Sequence, residues 1–328
     1  MEYTNLGRTA LRVSRLCLGT MNFGPNTSEI DSHRIMSRAL DLDLNFFDTA
    51  NVYGKKRGEG VTENIIGNWL AQDSGRRDRV VLATKVYGTM GDGPNDRGLS
   101  ARHIVSACEA SLRRLRTDHI DLYQMHHVDR SAPWDEVWQA MDLLVGQGKV
   151  RYVGSSNFAG WHIGAAQAAA ERRQSLGLVS EQCVYNLMNR HAELEVIPAA
   201  KYYGLGVVPW SPLAGGVLSG VLAKIEAGAT GRSAAETVRD KAQAYRDQLL
   251  SWEDFCRELG YEPAQVALAW LLAQPVVTGP IIGPRTVEQL EASMSSLDID
   301  LDDAATARLD EIFPPVGNGG PAPEAWAW

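Results

Sequence analysis

Four residues with proton chemistry fall where apolar runs end. Asp48 follows Phe46-Phe47, Lys85 follows the run from Val80, His126 follows Ile120–Met125, and Tyr53 lies just beyond Asp48. A lysine ammonium beside a phenol favours phenolate, lowering the tyrosine pKa from about 10 toward working pH. An aspartate beside that lysine keeps it charged and in place. A tyrosine tuned in this way is a general acid for a carbonyl oxygen as hydride reaches the carbon. A neutral histidine nearby can donate to the same oxygen. No side chain supplies hydride, so the quartet implies a nicotinamide cofactor. Each residue also has a plainer use: Asp48 can cap the turn Asp48-Thr49-Ala50-Asn51, Tyr53 can anchor a loop, and a strand-end histidine is often structural. Lys85 is harder to explain this way, since it ends an apolar strand. Four such coincidences at one end of three consecutive strands favour a single site.

Short apolar runs alternate with segments of helical period. The strand candidates are Leu16–Thr20, Phe46-Phe47, Val80–Ala83, Ile120–Met125, Val150–Val153, Val179–Gln182, Gly206–Pro209 and Val276–Ile282. Helical segments lie between them. In Ala101–Arg116, for example, Ile104, Cys108, Leu112 and Leu115 form one apolar stripe behind a Ser100 N-cap. Strict alternation implies parallel strands with right-handed crossovers. Eight strands in 328 residues favour a (β/α)8 TIM barrel over an open doubly wound sheet. In a barrel, catalytic groups stand at the C-terminal strand ends, where the quartet lies. Residues 1–328 read as a single domain with two additions. Residues 1–14 form an N-terminal β-hairpin placed to plug the barrel bottom, and Pro212–Leu250 forms a long loop after the seventh strand.

Composition is globular, with 45% hydrophobic and 22% charged residues. Thirty-two basic residues against 40 acidic ones give a net charge of −8, which argues against a nucleic-acid or anionic-membrane surface. The longest apolar run, Val266–Ala273, is far short of a bilayer span. Met1-Glu2-Tyr3 opens no signal peptide. Cys17, Cys108, Cys183 and Cys256 are dispersed without metal spacing, as expected of reduced thiols in a cytoplasmic protein. A structural zinc is excluded, and oligomeric state is not defined.

Six stretches occur in order: Phe47-Asp48-Thr49-Ala50-Asn51-Val52-Tyr53-Gly54, Ala83-Thr84-Lys85, Asp121-Leu122-Tyr123-Gln124-Met125-His126, Gly154-Ser155-Ser156-Asn157-Phe158, Val208-Pro209-Trp210-Ser211-Pro212-Leu213 and Pro280-Ile281-Ile282-Gly283-Pro284-Arg285-Thr286. Any one is a weak signal; together they are specific. The chain resembles the aldo-keto reductases from about residue 15 to 300, most of all the bacterial branch that is also similar to potassium-channel β-subunits.

The resemblance implies Tyr53 as proton donor, Asp48 and Lys85 as its tuning pair, and His126 as carbonyl orienter. His127 falls at a variable position and stays outside the tetrad. It further implies that Ser156, Asn157 and Gln182 hold the nicotinamide carboxamide and that Trp210 stacks on the ring. Ser211, Leu213, Gly215 and Leu218 resemble the segment that closes over the pyrophosphate. At the far end, Gly283-Pro284-Arg285-Thr286 opens a helix whose N-terminal amides favour an anion, and Arg285 can fork onto a phosphate. No G-x-G-x-x-G follows the first strand, which disfavours a Rossmann mode. By resemblance Arg285 faces the 2′-phosphate of NADP and Gln289 lies nearer the adenine. Ser293 departs from the common asparagine there, which leaves NADH open as an alternative to NADPH.

The substrate is read as an aldehyde or ketone with apolar or ring character. Met21, Phe23, Tyr87, Trp134 and the tail Trp326-Ala327-Trp328 are candidate lining residues. The resemblance implies a branch whose enzymes act on small aldehydes, pyridoxal, sugars, and carbonyls of polyketides and nucleotide-activated deoxysugars, so a natural-product carbonyl is one reading. Two rivals remain: a regulatory cofactor-binding protein like the channel β-subunits, and a Schiff-base aldolase using Lys85.

Overall fold

The computed structural model describes residues 1–54, 57–228 and 235–316. The chain opens with strands β1 (Tyr3–Asn5) and β2 (Arg12–Ser14), which pair antiparallel. Eight parallel strands follow: β3 (Cys17–Gly19), β4 (Phe46–Asp48), β5 (Val81–Val86), β6 (Ile120–Met125), β7 (Val150–Ser156), β8 (Leu178–Gln182), β9 (Gly206–Val207) and β10 (Ile281–Ile282). Their order in the sheet is β10-β3-β4-β5-β6-β7-β8-β9. At the two edge strands, Thr278 N–H donates to Val207 O of β9 at 2.8 Å and Ile281 N–H of β10 to Pro209 O at 2.8 Å. These bonds draw the two edges of the sheet together, so it is curled in the manner of a (β/α)8 barrel. All six residues of β5 are buried, as expected of a parallel strand covered on both faces.

Helices α1 (Glu29–Asp41), α2 (Val61–Leu70), α3 (Arg76–Arg79), α4 (Ala101–Leu115), α5 (Trp134–Gly146), α6 (Gly160–Arg172) and α7 (Val196–Tyr203) lie between the strands. In α4, Ser100 accepts from His103 N–H, and the buried set contains the expected Ile104, Cys108, Leu112 and Leu115. That stripe is what docks the helix on the sheet.

Leu6 and Val13, flanking the β1–β2 turn, pack with Cys17, Phe46 and Val81, which begin β3, β4 and β5. The hairpin therefore meets the inner cluster at the N-terminal strand ends. Gly7 permits this approach: its φ is +55°, and a Cβ there would come within 2.5 Å of Val179 O.

The segment Pro212–Leu250 corrects the expectation of a long loop. Among its described residues it carries α8 (Val221–Glu226), α9 (Glu236–Ala244) and the start of α10 (Arg246–Leu259). Its alanines and glycines suggested a loop, but alanine is the best helix former, and Val238, Ala242 and Leu249 give the helices buried faces. Helices α11 (Pro263–Leu272), α12 (Val287–Met294) and α13 (Asp303–Ile312) complete the chain. The tail Trp326-Ala327-Trp328 lies outside the described residues. No helix among those described is long and apolar enough to cross a membrane.

Candidate active site

Strands β4, β5 and β6 run parallel in register, so Asp48, Lys85 and His126 emerge at the same end of the sheet. Lys85 is fully buried, and its ammonium has three partners. It donates to Asp48 Oδ2 at 2.6 Å, Thr49 O at 2.9 Å and Tyr53 Oη at 3.2 Å. An ammonium carries three protons, so all of them are committed. Burial by itself lowers the Lys85 pKa, but Asp48 and Tyr53 outweigh it and the net direction is upward. A cationic lysine with no free proton and no lone pair is poorly placed to form an imine. The geometry therefore speaks against the aldolase reading.

Tyr53 departs from the sequence expectation. Burial raises its pKa, and this outweighs the lowering by Lys85. The phenol thus stays protonated at neutral pH, which suits a proton donor. The Tyr53 and His126 rings meet edge-on, with centroids 5.9 Å apart. The pKa of His126 is lowered to about 2 by burial first, then by Lys85 and His127. Its imidazole is neutral and able to donate. His127 stacks on His126 with centroids 5.1 Å apart.

Asp48 Oδ1 has partners that the sequence did not reveal. Gln124 Nε2 and Gln182 Nε2 each donate to it at 2.9 Å, and Gln182 Nε2 also donates to Gln124 Oε1 at 3.2 Å. A carboxylate only accepts, so both glutamines must present their amide nitrogens to it. For Gln182 this spends both N–H groups, and only its carbonyl oxygen remains for a ligand. Gln124 lies two residues from Leu122 and from His126, on the inward face of β6. A polar residue on that face within an apolar strand was the available signal.

Around the mouth of β7, Ser156 Oγ donates to Gln182 O at 2.9 Å. Asn157 Nδ2 donates to His126 O at 3.1 Å and Ser156 Oγ at 3.0 Å, and Asn157 Oδ1 accepts from Trp210 Nε1 at 3.0 Å. Trp210 is 38% exposed, unusual for a residue so tied at its indole nitrogen. Beyond it the chain turns left-handed at Ser211, Ala214, Gly215 and Gly216. Gly215 N–H is held by Ser211 Oγ at 3.1 Å, and nothing stands where a Gly215 Cβ would be. Leu213 is half-buried, whereas the Leu218 side chain lies wholly in the core and its main-chain N–H donates to Leu213 O at 3.2 Å. On the opposite edge Asn22 Nδ2 donates to Gly283 O at 2.9 Å. Thr286 caps α12 by accepting from Gln289 N–H, and Gln289 Oε1 accepts from Arg285 N–H at 2.8 Å. Of the candidate lining residues, Phe23 is buried in the core, Met21 is exposed, and Tyr87 meets the His127 ring edge-on. Trp134 packs against Phe158.

A profile of the aldo/keto reductase family matches residues 15–313. The chain belongs to this family. As an aldo/keto reductase it is an oxidoreductase. It is similar to an uncharacterized oxidoreductase, YrpG, of Bacillus subtilis, 57% identical over 332 residues with both chains fully covered. It is 37% identical over 306 residues to a probable voltage-gated potassium channel subunit beta of Oryza sativa, covering 91% of this chain and 92% of the relative. A versiconal hemiacetal acetate reductase of Aspergillus parasiticus is 32% identical over 345 residues, with 96% and 98% covered.

Proposed function

We propose that this aldo/keto reductase, read as one domain over residues 1–328, reduces an aldehyde or ketone to an alcohol with NADPH. The observation that carries the reading is the buried Asp48–Lys85–Tyr53 chain beside a neutral His126. Tyr53 Oη is the proton donor to the carbonyl oxygen. The charge of Lys85 stabilises the phenolate left behind, and Asp48, saturated by Gln124 and Gln182, holds Lys85 in place. His126 orients the carbonyl through an imidazole proton.

The residues present fit a nicotinamide cofactor. Ser156, Asn157 and the Gln182 side-chain carbonyl form a compact set of acceptors for a carboxamide N–H, the protons of Ser156 and Asn157 being spent on Gln182 O, His126 O and Ser156 Oγ. The half-exposed Trp210 offers a ring face. Main chain that turns left-handed at Ser211, Ala214, Gly215 and Gly216, bordered by Leu213 and Leu218, leaves open space at Gly215 for a pyrophosphate. Gly283, Arg285 and Gln289 stand at the start of α12, where a phosphate is favoured. When bound, the cofactor supplies the hydride that the side chains lack. Arg285 suits a 2′-phosphate and hence NADPH, with NADH the weaker partner.

A natural-product carbonyl is the substrate class favoured here, supported by the likeness to a fungal reductase whose name specifies a hemiacetal acetate. The test follows NADPH absorbance with wild type and Tyr53→Phe over a panel of aldehydes, ketones and diketones. Tyr53-dependent oxidation supports the reading, and equal rates in both proteins overturn it. The likeness to a channel β-subunit favours one alternative, a cofactor-binding regulator with slow turnover. Tight NADPH binding without turnover on any carbonyl selects that alternative.

A further inference from the structure

The tetrad does not use Glu181, a carboxylate with no exposed surface in β8. It stands opposite Ser155 of β7, whose hydroxyl donates to its Oε2, and its Oε1 accepts from Phe158 N–H at 3.0 Å. A carboxylate buried without a cation is costly, and a fold does not keep one without a use for its acceptors. The neighbouring amide, Asn157 N–H, donates to Gln182 O at 3.0 Å. Two successive residues leaving β7 are thus tied to two successive residues of β8.

Between those ties Asn157 sits at φ +60°, a conformation uncommon outside glycine. In that conformation its side chain reaches His126 O, Ser156 Oγ and Trp210 Nε1 together. Beyond the turn, Phe158 packs against Trp134 and Ala159 N–H is held by His162 Nδ1, so the Glu181 carboxylate is the polar tie that joins Phe158 main chain back to β8. We propose that Glu181 is a positioning residue: its carboxylate holds the Ser156-Asn157-Phe158 turn in the shape that presents Ser156 and Asn157 to the nicotinamide end of the cofactor. This rests on the reading of Ser156 and Asn157 given above.

Protonation weakens the hold. Ionised, Glu181 gives Phe158 N–H a charged acceptor; protonated, it gives a neutral one and donates to Ser155 Oγ, whose proton can then serve Ser180 O. Burial pushes the Glu181 pKa up to about 7, against the lowering by Ser155 and the two amides. The titratable group that senses Glu181 is the Cys183 thiol on the same stretch of chain. The facing positions of β7 and β9, Ser155 and Val207, carry no charge. His162 of α6 accepts from Ala159 N–H, and its pKa is lowered by burial first, then by Arg130 against the opposing Glu195, with no contribution from Glu181. Glu181→Gln is the neutral isostere of the protonated form.

The experiment measures dissociation constants of NADP+ by tryptophan fluorescence for wild type, Glu181→Gln, Glu181→Leu and Asn157→Ala between pH 6 and 8.5, with melting temperatures alongside. The comparison between variants cancels titration of the cofactor's own phosphate. At pH 8 Glu181→Gln is expected to bind about fivefold more weakly than wild type, since a charge-assisted bond becomes a neutral one. The two proteins should converge near pH 6, with the Glu181→Gln melting temperature at pH 8 unchanged or higher. Glu181→Leu should bind more weakly still. If Asn157→Ala weakens binding while both Glu181 variants bind like wild type at every pH, the Glu181 role is overturned and the site reading stands. A loss of melting temperature in Glu181→Gln without convergence at low pH would show a merely structural carboxylate and also overturn it. Unaltered binding in Asn157→Ala would overturn the site reading and the Glu181 role together.

Discussion

Gln182 Nε2 donates to Gln124 Oε1 at 3.2 Å, and both side chains turn their amides onto one oxygen of Asp48. The second oxygen of Asp48 is left to Lys85. Replacing Gln124 by Leu removes a donor to a buried carboxylate and an acceptor for Gln182. Turnover should fall about tenfold, equivalent to about 1.4 kcal/mol, while the cofactor dissociation constant stays near that of wild type. Steady-state kinetics and fluorescence titration check the split; a change confined to cofactor binding would place Gln124 elsewhere in the mechanism.

Tyr53→Phe keeps the ring and removes the proton. The rate of carbonyl reduction should drop by a factor of about 10² to 10⁴, the usual contribution of a general acid. NADPH binding should be nearly intact in the same protein, as measured by tryptophan quenching.

Lys85 and Asp48 form an ion pair with side chains 0% and 3% exposed. Lys85→Met leaves the carboxylate buried without its cation, and stability should fall by about 3–5 kcal/mol in denaturant unfolding. Adding Asp48→Asn removes the stranded charge and should recover part of that loss. A double mutant as unstable as the sum of the singles would contradict the pairing.

The pKa of His126 lies far below its ordinary value of 6.5. Its folded pKa is depressed, so the unfolded chain takes up the proton first as pH falls. Its contribution to stability is complete above pH 6.5 and is lost progressively toward pH 2. Unfolding of His126→Gln should therefore depend less on pH between 6.5 and 4 than wild type does. Titration of this imidazole by NMR should show no midpoint near 6.5.

Arg285→Ala should weaken NADPH by roughly 1.5–3 kcal/mol, the worth of a hydrogen bond to a charged group, and NADH by much less. Isothermal titration of both cofactors tests this. Equal losses would remove the 2′-phosphate from the vicinity of Arg285.

Part of this was legible in residues alone. The period of Ala101–Leu115, the Ser100 cap and the apolar runs that became β4 to β8 are local properties, set by side-chain spacing and backbone donors. The segment Pro212–Leu250 was misread because alanine and glycine together look like a loop until Val238 and Leu249 find a core to face.

The sequence by itself determined the alternation of strands and helices, the strand ends carrying Asp48, Lys85 and His126, and the family motifs around them. These follow from short-range periodicity and from residue types that few positions tolerate. Tertiary structure alone decided that Gln182 reaches Asp48 across 134 residues, that Gln124 joins it, and that Glu181 turns the other way to hold Phe158 N–H. It also decided that burial outweighs Lys85 in setting the proton of Tyr53. In a strand covered on both faces, a polar residue such as Gln124 signals a use for its side chain but not which distant residue it meets. Curling the sheet fixes that choice, because it brings the inner residues of distant strands within hydrogen-bonding distance of one another.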